Sequence, residues 1–264
     1  LLTGAHSFIA KHLTKNLLDM GVQVKGLSRE LLYDRNNLSK YLMEFNPEII
    51  IHLATYGNMY NQKDEDEIIK ANIQGLWNML MSSKDIPYKG FINFSTSSTL
   101  LPYETFYSAS KRAGEGLVHA FVNKYDKPVV NVLPFSIYGP GDNPAHFIPA
   151  IIEAFKKNKE VKVSQGYHDW THVSDLVSAI IIVIENIKVL KGMDIQIGTG
   201  YSLSNYAVVS ILREMLGKPG NIKRVDSLRE YDSENWVADS HVLKKLGWKP
   251  EISLEKGLEK LIYG

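Results

Sequence analysis

The chain has 264 residues, 44% of them hydrophobic and 22% charged, with a formal net charge of +1 and no cysteine. A chain this long buries roughly 70–75% of its unfolded surface, enough for one large domain or a core with a smaller annex. The near-zero charge offers no field for a polyanion and so argues against nucleic acid as a partner, and the missing cysteines exclude disulfides, thiolate catalysis and cysteine metal sites.

Leu1–Thr3 reads as the end of a strand, so short that a few residues are expected to precede it; no signal or transit segment is evident. Helical periodicity over 8–20 is followed by a strand at 22–27 and a polar helix at 36–45. The run EIIIHLA at 48–54 is apolar on both faces, as in a central parallel strand. A helix over 66–82, a strand over 90–95, a helix over 107–124 and a strand over 128–134 continue the alternation. This is the pattern of an α/β protein with a Rossmann-type doubly wound parallel sheet. The turn-rich 138–144 stretch divides a dinucleotide-binding domain, 1–137, from a smaller mixed α/β lobe, 138–264. Helices near 145–157, 175–187 and 204–216 and short strands near Val161 and Ile195 belong to that lobe, with parts near 169–198 returning to the core. Lys156, Lys157 and Lys159 read as a solvated helix end, and the apolar run at 179–184 is far below the ~20 residues of a membrane span. Cytoplasmic location and no membrane partner are the expectation.

Where the first strand meets the first helix, a dinucleotide fold needs small residues, so that the backbone can approach a pyrophosphate at the helix N-terminus. Thr3-Gly4-Ala5-His6-Ser7-Phe8-Ile9-Ala10 stands there. Gly4 is the one glycine of the usual three, and alone such a turn is also a common connector. Ser7 is a candidate helix cap or phosphate ligand. The second strand closes Gly26-Leu27-Ser28-Arg29-Glu30, where NAD enzymes present an acid to the ribose and NADP enzymes a basic group. Ser28 and Arg29 favour NADP; Glu30 keeps NAD open.

Tyr107-Ser108-Ala109-Ser110-Lys111 opens a helix, and a spacing of four sets phenol and ammonium on one face. A neighbouring ammonium is expected to lower the phenol's pKa, so that it exchanges a proton near neutral pH. Among 14 tyrosines such a pair arises by accident, but Ser95-Thr96-Ser97-Ser98-Thr99 closes the preceding strand at the edge where open α/β sheets bind ligands. A hydroxyl there can polarise a carbonyl while the phenol protonates its oxygen.

From end to end the chain resembles an extended short-chain dehydrogenase of the NAD-dependent epimerase/dehydratase family, whose members modify sugars carried on nucleotides. The pieces stand in family order: TGAxxFI at 3–9, HLA at 52–54, Asn72-Ile73-Gln74-Gly75, the serine cluster, and Tyr107 with Lys111. Then come 134–140, Asp169-Trp170-Thr171-His172-Val173-Ser174-Asp175, 197–200, and Ala238-Asp239 leading to 246–250. The resemblance implies that Tyr107 is the general acid/base, that Lys111 bonds the nicotinamide ribose, and that Ser97 holds the substrate oxygen, with Ser98 and Thr99 as neighbours able to substitute. It implies cofactor contacts from Gly4, Ser7, Phe8, Ile9, Asp34, Leu53, Ala54, Thr55, Pro134 and Ile137. It implies substrate contacts from Ser98, Ser136, His168 and Arg229, the last clamping a diphosphate. A homodimer pairing through the helices near 72–82 and from Tyr107 is implied in the same way.

Four departures stand out. Two phosphate-loop glycines are replaced; the segment between Ser97 and Tyr107 is about half the usual length; His168 takes an arginine's place; and Ser136 takes an asparagine's. His168 and His172, four apart on a strand and so ~13 Å distant, cannot share one ion, and no metal is expected. His172 and Asp175 are expected to fix a strand-to-helix turn, and Trp170, Trp236 and Trp248 to pack in the core. The leading expectation is a 4-ketoreductase using NADPH, motivated by the Ser28–Arg29 pair and by a compact stretch up to Asp34 like that of some reductases in the family. An NAD-dependent C4 epimerase is the alternative. A 4,6-dehydratase is disfavoured because Ser98-Thr99 stand where that subgroup has Asp-Glu; a non-catalytic dinucleotide sensor or scaffold is a third reading.

Overall fold

Two residues of strand, β1 (Leu2–Thr3), begin the chain and pass through the Gly4 turn into α1 (Phe8–Asp19). There follow α2 (Arg29–Tyr33), α3 (Arg35–Phe45), β2 (Ile49–His52), α4 (Glu65–Ile69), a π turn over Lys70–Gln74, α5 (Gly75–Ser83) and β3 (Gly90–Phe94). A 3-10 turn over Ser97–Leu100 leads to α6 (Phe106–Tyr125), β4 (Val129–Pro134), β5 (Ser136–Tyr138), α7 (Phe147–Lys156), β6 (Val161–Ser164), β7 (Tyr167–His168) and β8 (Trp170–His172). The chain closes with α8 (Val173–Glu185), β9 (Asp194–Ile197), β10 (Leu203–Ser204), α9 (Asn205–Leu216), β11 (Ile222–Val225), α10 (His241–Lys245) and α11 (Leu254–Tyr263). This computed structural model describes residues 1–59, 61–217, 221–226, 233 and 236–264.

The chain forms two units: 1–100, 104–134 and 179–196, and 101–103, 135–178 and 197–264. The first departs after Pro134, against the expected 137, and takes back 179–196, a narrower stretch than 169–198.

The central sheet runs β1-β2-β3-β4-β9, with parallel pairing from β1 through β4. Its middle strands are apolar and buried on both faces, the pattern that drives parallel sheets beneath two helical layers. His52, Asn93 and Asn131 are the polar exceptions, the two asparagines bonded across the sheet. These two stand opposite one another in register, the Asn93 amide donating to the Asn131 carbonyl (2.8 Å) and the Asn131 amide to Asp194 (2.7 Å). Side chains from α3, α5 and α6, among them Leu38, Leu42, Leu76, Met79 and Val118, pack on Ile50, Phe91 and Val129 in one apolar cluster.

The strand expected over 22–27 contracts to a single parallel bridge between Gly26 and Leu2. With only two residues, β1 offers too short a template: Leu2 donates to Lys25 and accepts from Leu27, both at 2.8 Å, and pairing stops. The bridge still sets the topology, because the chain passes from one side of β1 at Gly26 to the other at β2. That reversal is the switch point at which open α/β sheets bind ligands.

In the second unit β5 pairs parallel with β8, β6 parallel with β11, and β7 antiparallel with β10. Tyr138, Phe155, Val208, Leu212 and Leu258 centre its apolar cluster. Asp169 is 0% exposed, and its carboxylate organises the loops around it. One oxygen accepts from the Thr199 amide (2.8 Å) and hydroxyl (2.7 Å), the other from the amides of Gly200 (2.8 Å) and Ala238 (3.2 Å). A Cβ on Gly198 would lie 2.6 Å from that second oxygen, so only glycine passes there.

His172 holds the strand-to-helix turn as expected, its Nδ1 accepting the Ser174 amide (3.2 Å). Asp175 does not: its carboxylate accepts the amides of Glu251 (3.0 Å) and Ile252 (3.1 Å) and so secures the approach to α11. Trp248 is buried, its indole N–H bonded to Ser178 (3.0 Å). The other two tryptophans are less scattered than their numbering implies, since Trp170 and Trp236 both flank His168, with ring centroids 5.2 and 4.8 Å away.

Asp169→Asn would turn an amide N–H toward backbone N–H donors and leave buried groups unpaired. It is expected to lower unfolding free energy by about 2–4 kcal/mol, measured by urea denaturation. A loss below about 0.5 kcal/mol would show that the carboxylate does not organise these loops.

Candidate active site

Tyr107 is the second residue of α6. Thr105 fixes the start of that helix through a reciprocal cap: its hydroxyl accepts the Ser108 amide (3.1 Å) while the Ser108 hydroxyl accepts the Thr105 amide (2.9 Å). The phenol is thereby delivered toward the carboxyl ends of β2 and β3, where the Thr55 and Thr96 hydroxyls favour its ionised form.

The electrostatics depart from the expectation. Burial pushes the Tyr107 phenol above its ordinary pKa, while the two threonine hydroxyls act against that shift. The Lys111 side chain, in a residue only 6% exposed, turns its ammonium to the Phe94 carbonyl at the end of β3. Burial lowers Lys111 to about 8, with the Glu115 carboxylate opposing. Glu115, one turn farther along α6, is itself raised by burial and accepts a hydrogen bond from Ser95. Desolvation thus outweighs the one-face spacing of Tyr107 and Lys111.

Of the hydroxyl run, Ser97 is 2% exposed and opens the 3-10 turn. Thr96, not singled out from the run by sequence reasoning, favours the ionised phenol. Its Oγ1 also lies 3.2 Å from both the Ser98 hydroxyl, to which it donates, and the Ser98 amide, from which it accepts. Thr55, expected only to line the cofactor, also donates to Asn72 (2.9 Å). Asn72 is a buried hub in the π turn: its carbonyl also accepts the Tyr56 amide (2.9 Å), and its amide donates to the Tyr56 carbonyl and the Ser110 hydroxyl (both 2.9 Å). Helical π turns concentrate at functional sites because they re-aim side chains.

Gly4 has φ +64°, and a Cβ there would lie 2.9 Å from the Ala54 amide nitrogen and 3.0 Å from the Leu53 carbonyl carbon. Thr3 closes the same junction, its hydroxyl accepting the amides of Leu53 (3.1 Å) and Ala54 (3.0 Å) and meeting His52 Nδ1 (2.9 Å). His52 is fully buried, and burial drives its pKa down to about 3, so the ring is neutral. Ser7 caps α1 by accepting the Ala10 amide (3.4 Å), with Phe8 and Ile9 half-buried behind it. A glycine turn at a helix N-terminus, where a backbone rather than a side chain faces the strand edge at Gly4, fits a dinucleotide pyrophosphate.

Ser28 and Asp34 act as caps, Ser28 for α2 and Asp34 for α3, where the Asp34 carboxylate accepts from the Asn37 backbone (3.1 Å) and side chain (2.7 Å). Arg29 pairs with Glu67 and lies over the Tyr33 ring, 5.9 Å from its centroid. Pro134 ends β4 in the first unit. Ser136, Ile137 and His168 lie in the second, with the Ser136 hydroxyl 2.9 Å from His168 Nδ1. Arg229 lies outside the described residues.

The model of the NAD dependent epimerase/dehydratase family matches residues 1–198. CDP-abequose synthase of Salmonella typhimurium is 28% identical over 292 residues, with 99% of this chain and 96% of the relative covered. A probable UDP-glucuronate 4-epimerase of Rhizobium meliloti is 25% identical, with 99% and 95% covered. Among solved structures, the Thermotoga maritima UDP-glucose 4-epimerase with UDP-glucose superposes with a TM-score of 0.88 at 22% identity, covering 99% of this chain and 96% of that one. The Thermus thermophilus UDP-glucose 4-epimerase complex with NAD gives 0.87 at 21%, with the same coverage. The ordered motifs, the switch-point sheet and a family match over most of its length agree: this chain belongs to the NAD dependent epimerase/dehydratase family of NAD-dependent enzymes.

Proposed function

We propose that this chain is a reductase of a nucleotide-linked 4-keto sugar, using NADPH, with Tyr107 as the proton donor. The observation that carries the proposal is the protonation state of that phenol. Half-buried at the sheet edge and raised in pKa by desolvation, it keeps its proton at neutral pH, the state a reduction consumes.

A dinucleotide held at the Gly4 turn would supply the hydride. Everything else falls to side chains of this chain. The Thr96 hydroxyl, with Ser97 beside it, orients the substrate oxygen toward the phenol, and the phenol gives that oxygen a proton as the carbonyl becomes an alcohol. Lys111, bonded to the Phe94 carbonyl, ties the start of α6 to the end of β3 and so holds the phenol's helix at the sheet edge. Ser98 and Thr99 carry no acid able to expel water, which separates this site from a dehydratase. Ser136, His168 and Arg229 are the substrate contacts of this reading. CDP-abequose synthase and UDP-glucuronate 4-epimerase, similar along their whole length, are named for nucleotide-linked sugars, which supports the substrate class.

A C4 epimerase with retained NAD is the second reading, favoured by the epimerases among the relatives. It requires the same phenol to accept a proton first, which the raised pKa opposes. Denaturing the purified protein separates the two: the reductase releases no stoichiometric NAD, the epimerase does.

Turnover is followed as loss of NADPH absorbance with a panel of 4-keto nucleotide sugars. Tyr107→Phe is expected to lower kcat by about 10²- to 10⁴-fold while NADPH still titrates the variant. Unchanged turnover would remove Tyr107 as the proton donor.

A further inference from the structure

A cavity of about 520 Å³ opens beside α2, lined by Arg29, Glu30, Tyr33, Tyr56, Glu67 and Lys70. At its centre the Glu67 carboxylate spans two cations, one oxygen on the Arg29 guanidinium and the other 3.0 Å from the Lys70 ammonium. Both cations also flank one aromatic face, Arg29 at 5.9 Å and Lys70 at 5.0 Å from the Tyr33 ring centroid. Arg29 directly follows the Ser28 cap at the end of the segment bridged to β1. Lys70 comes from a different element, the start of the π turn.

We infer that Glu67 sets cofactor selectivity: its carboxylate occupies, between Arg29 and Lys70, the place of a dinucleotide's 2′-phosphate. The inference rests on the dinucleotide reading above and deepens it by adding Lys70 as the second phosphate cation and Glu67 as an internal competitor. A carboxylate and a phosphate monoester meet a guanidinium with the same forked geometry, but the phosphate carries about −1.5 to −2 charge and three acceptor oxygens. It therefore displaces the carboxylate, at the cost of breaking two ion pairs. Glu67 stands in the first turn of α4 with its side chain 29% exposed, which leaves it a path to solvent. With Glu30 lining the same cavity the site holds two cations and two carboxylates, so its net charge is near zero. That balance mutes the preference that Ser28 and Arg29 by themselves would give, and it accounts for Glu30 and Arg29 pointing in opposite directions in the sequence.

The test is a binding titration, by protein fluorescence and calorimetry, of the full-length protein and its Glu67→Gln, Lys70→Met and double variants. The ligands are NADPH, NADH, 2′,5′-ADP and 5′-AMP. Glu67→Gln is expected to raise the NADPH-to-NADH and 2′,5′-ADP-to-5′-AMP affinity ratios about tenfold. Lys70→Met should lower both ratios, and the double variant should lose most of the gain, since coupled residues are non-additive. Ratios that stay level or fall in Glu67→Gln, with NADH still bound, would overturn this inference and leave the dinucleotide reading standing. Failure of the folded wild-type protein to bind any of the four ligands would overturn both.

Discussion

Parallel pairing of β2 with β3 is the constraint on which the site depends. It carries the segments after His52 and after Phe94 to the same edge of the sheet, and so brings Thr55 and Thr96 to act on one phenol. An antiparallel neighbour would have sent one of them to the opposite edge. The phenol comes from a third element, α6, whose reciprocal Thr105–Ser108 cap fixes its first turn. Asn72 then ties the arrangement together, bonding Thr55, Tyr56 and Ser110 from a π turn that interrupts an otherwise regular helix.

Buried polarity at this edge is costly, and the protein offsets it locally. Lys111 loses its water but gains a backbone carbonyl and the field of Glu115; Glu115 gains Ser95; His52 stays neutral against Thr3. The same economy governs the second unit, where the dehydrated Asp169 carboxylate is met by backbone amides and a threonine hydroxyl instead of a cation of similar reach. Charges held in this way do not relax as water would, which is the condition for an environment that favours one protonation state of a nearby phenol.

Much of the fold was readable because its strongest signals are local. The apolar runs at 49–52, 90–94 and 129–134 favour a buried parallel sheet, and Ser7 caps α1 as its sequence position suggested, whereas the caps at Asp34 and Thr105 emerge only in the structure. What was misread depends on tertiary context. The 22–27 segment has strand-like side chains but only two residues of β1 to pair with. The π turn at Lys70–Gln74 keeps helical spacing and leaves no trace in periodicity. The spacing of Tyr107 and Lys111 placed both on one helix face without showing that the ammonium would turn to the Phe94 carbonyl. Trp170 and Trp236 are 66 positions apart in the chain and meet only around His168.

The central claim is that burial, opposed by two threonines, holds the Tyr107 phenol protonated across neutral pH. A pH titration of the Cζ resonances in protein labelled with carbon-13 tyrosine, with Tyr107→Phe used to assign the signal, tests it directly. The account predicts a resonance that stays in the neutral-phenol position through the neutral range and titrates above the ordinary tyrosine value of about 10. A midpoint near 7 would contradict it and return the phenol to a lysine-activated base.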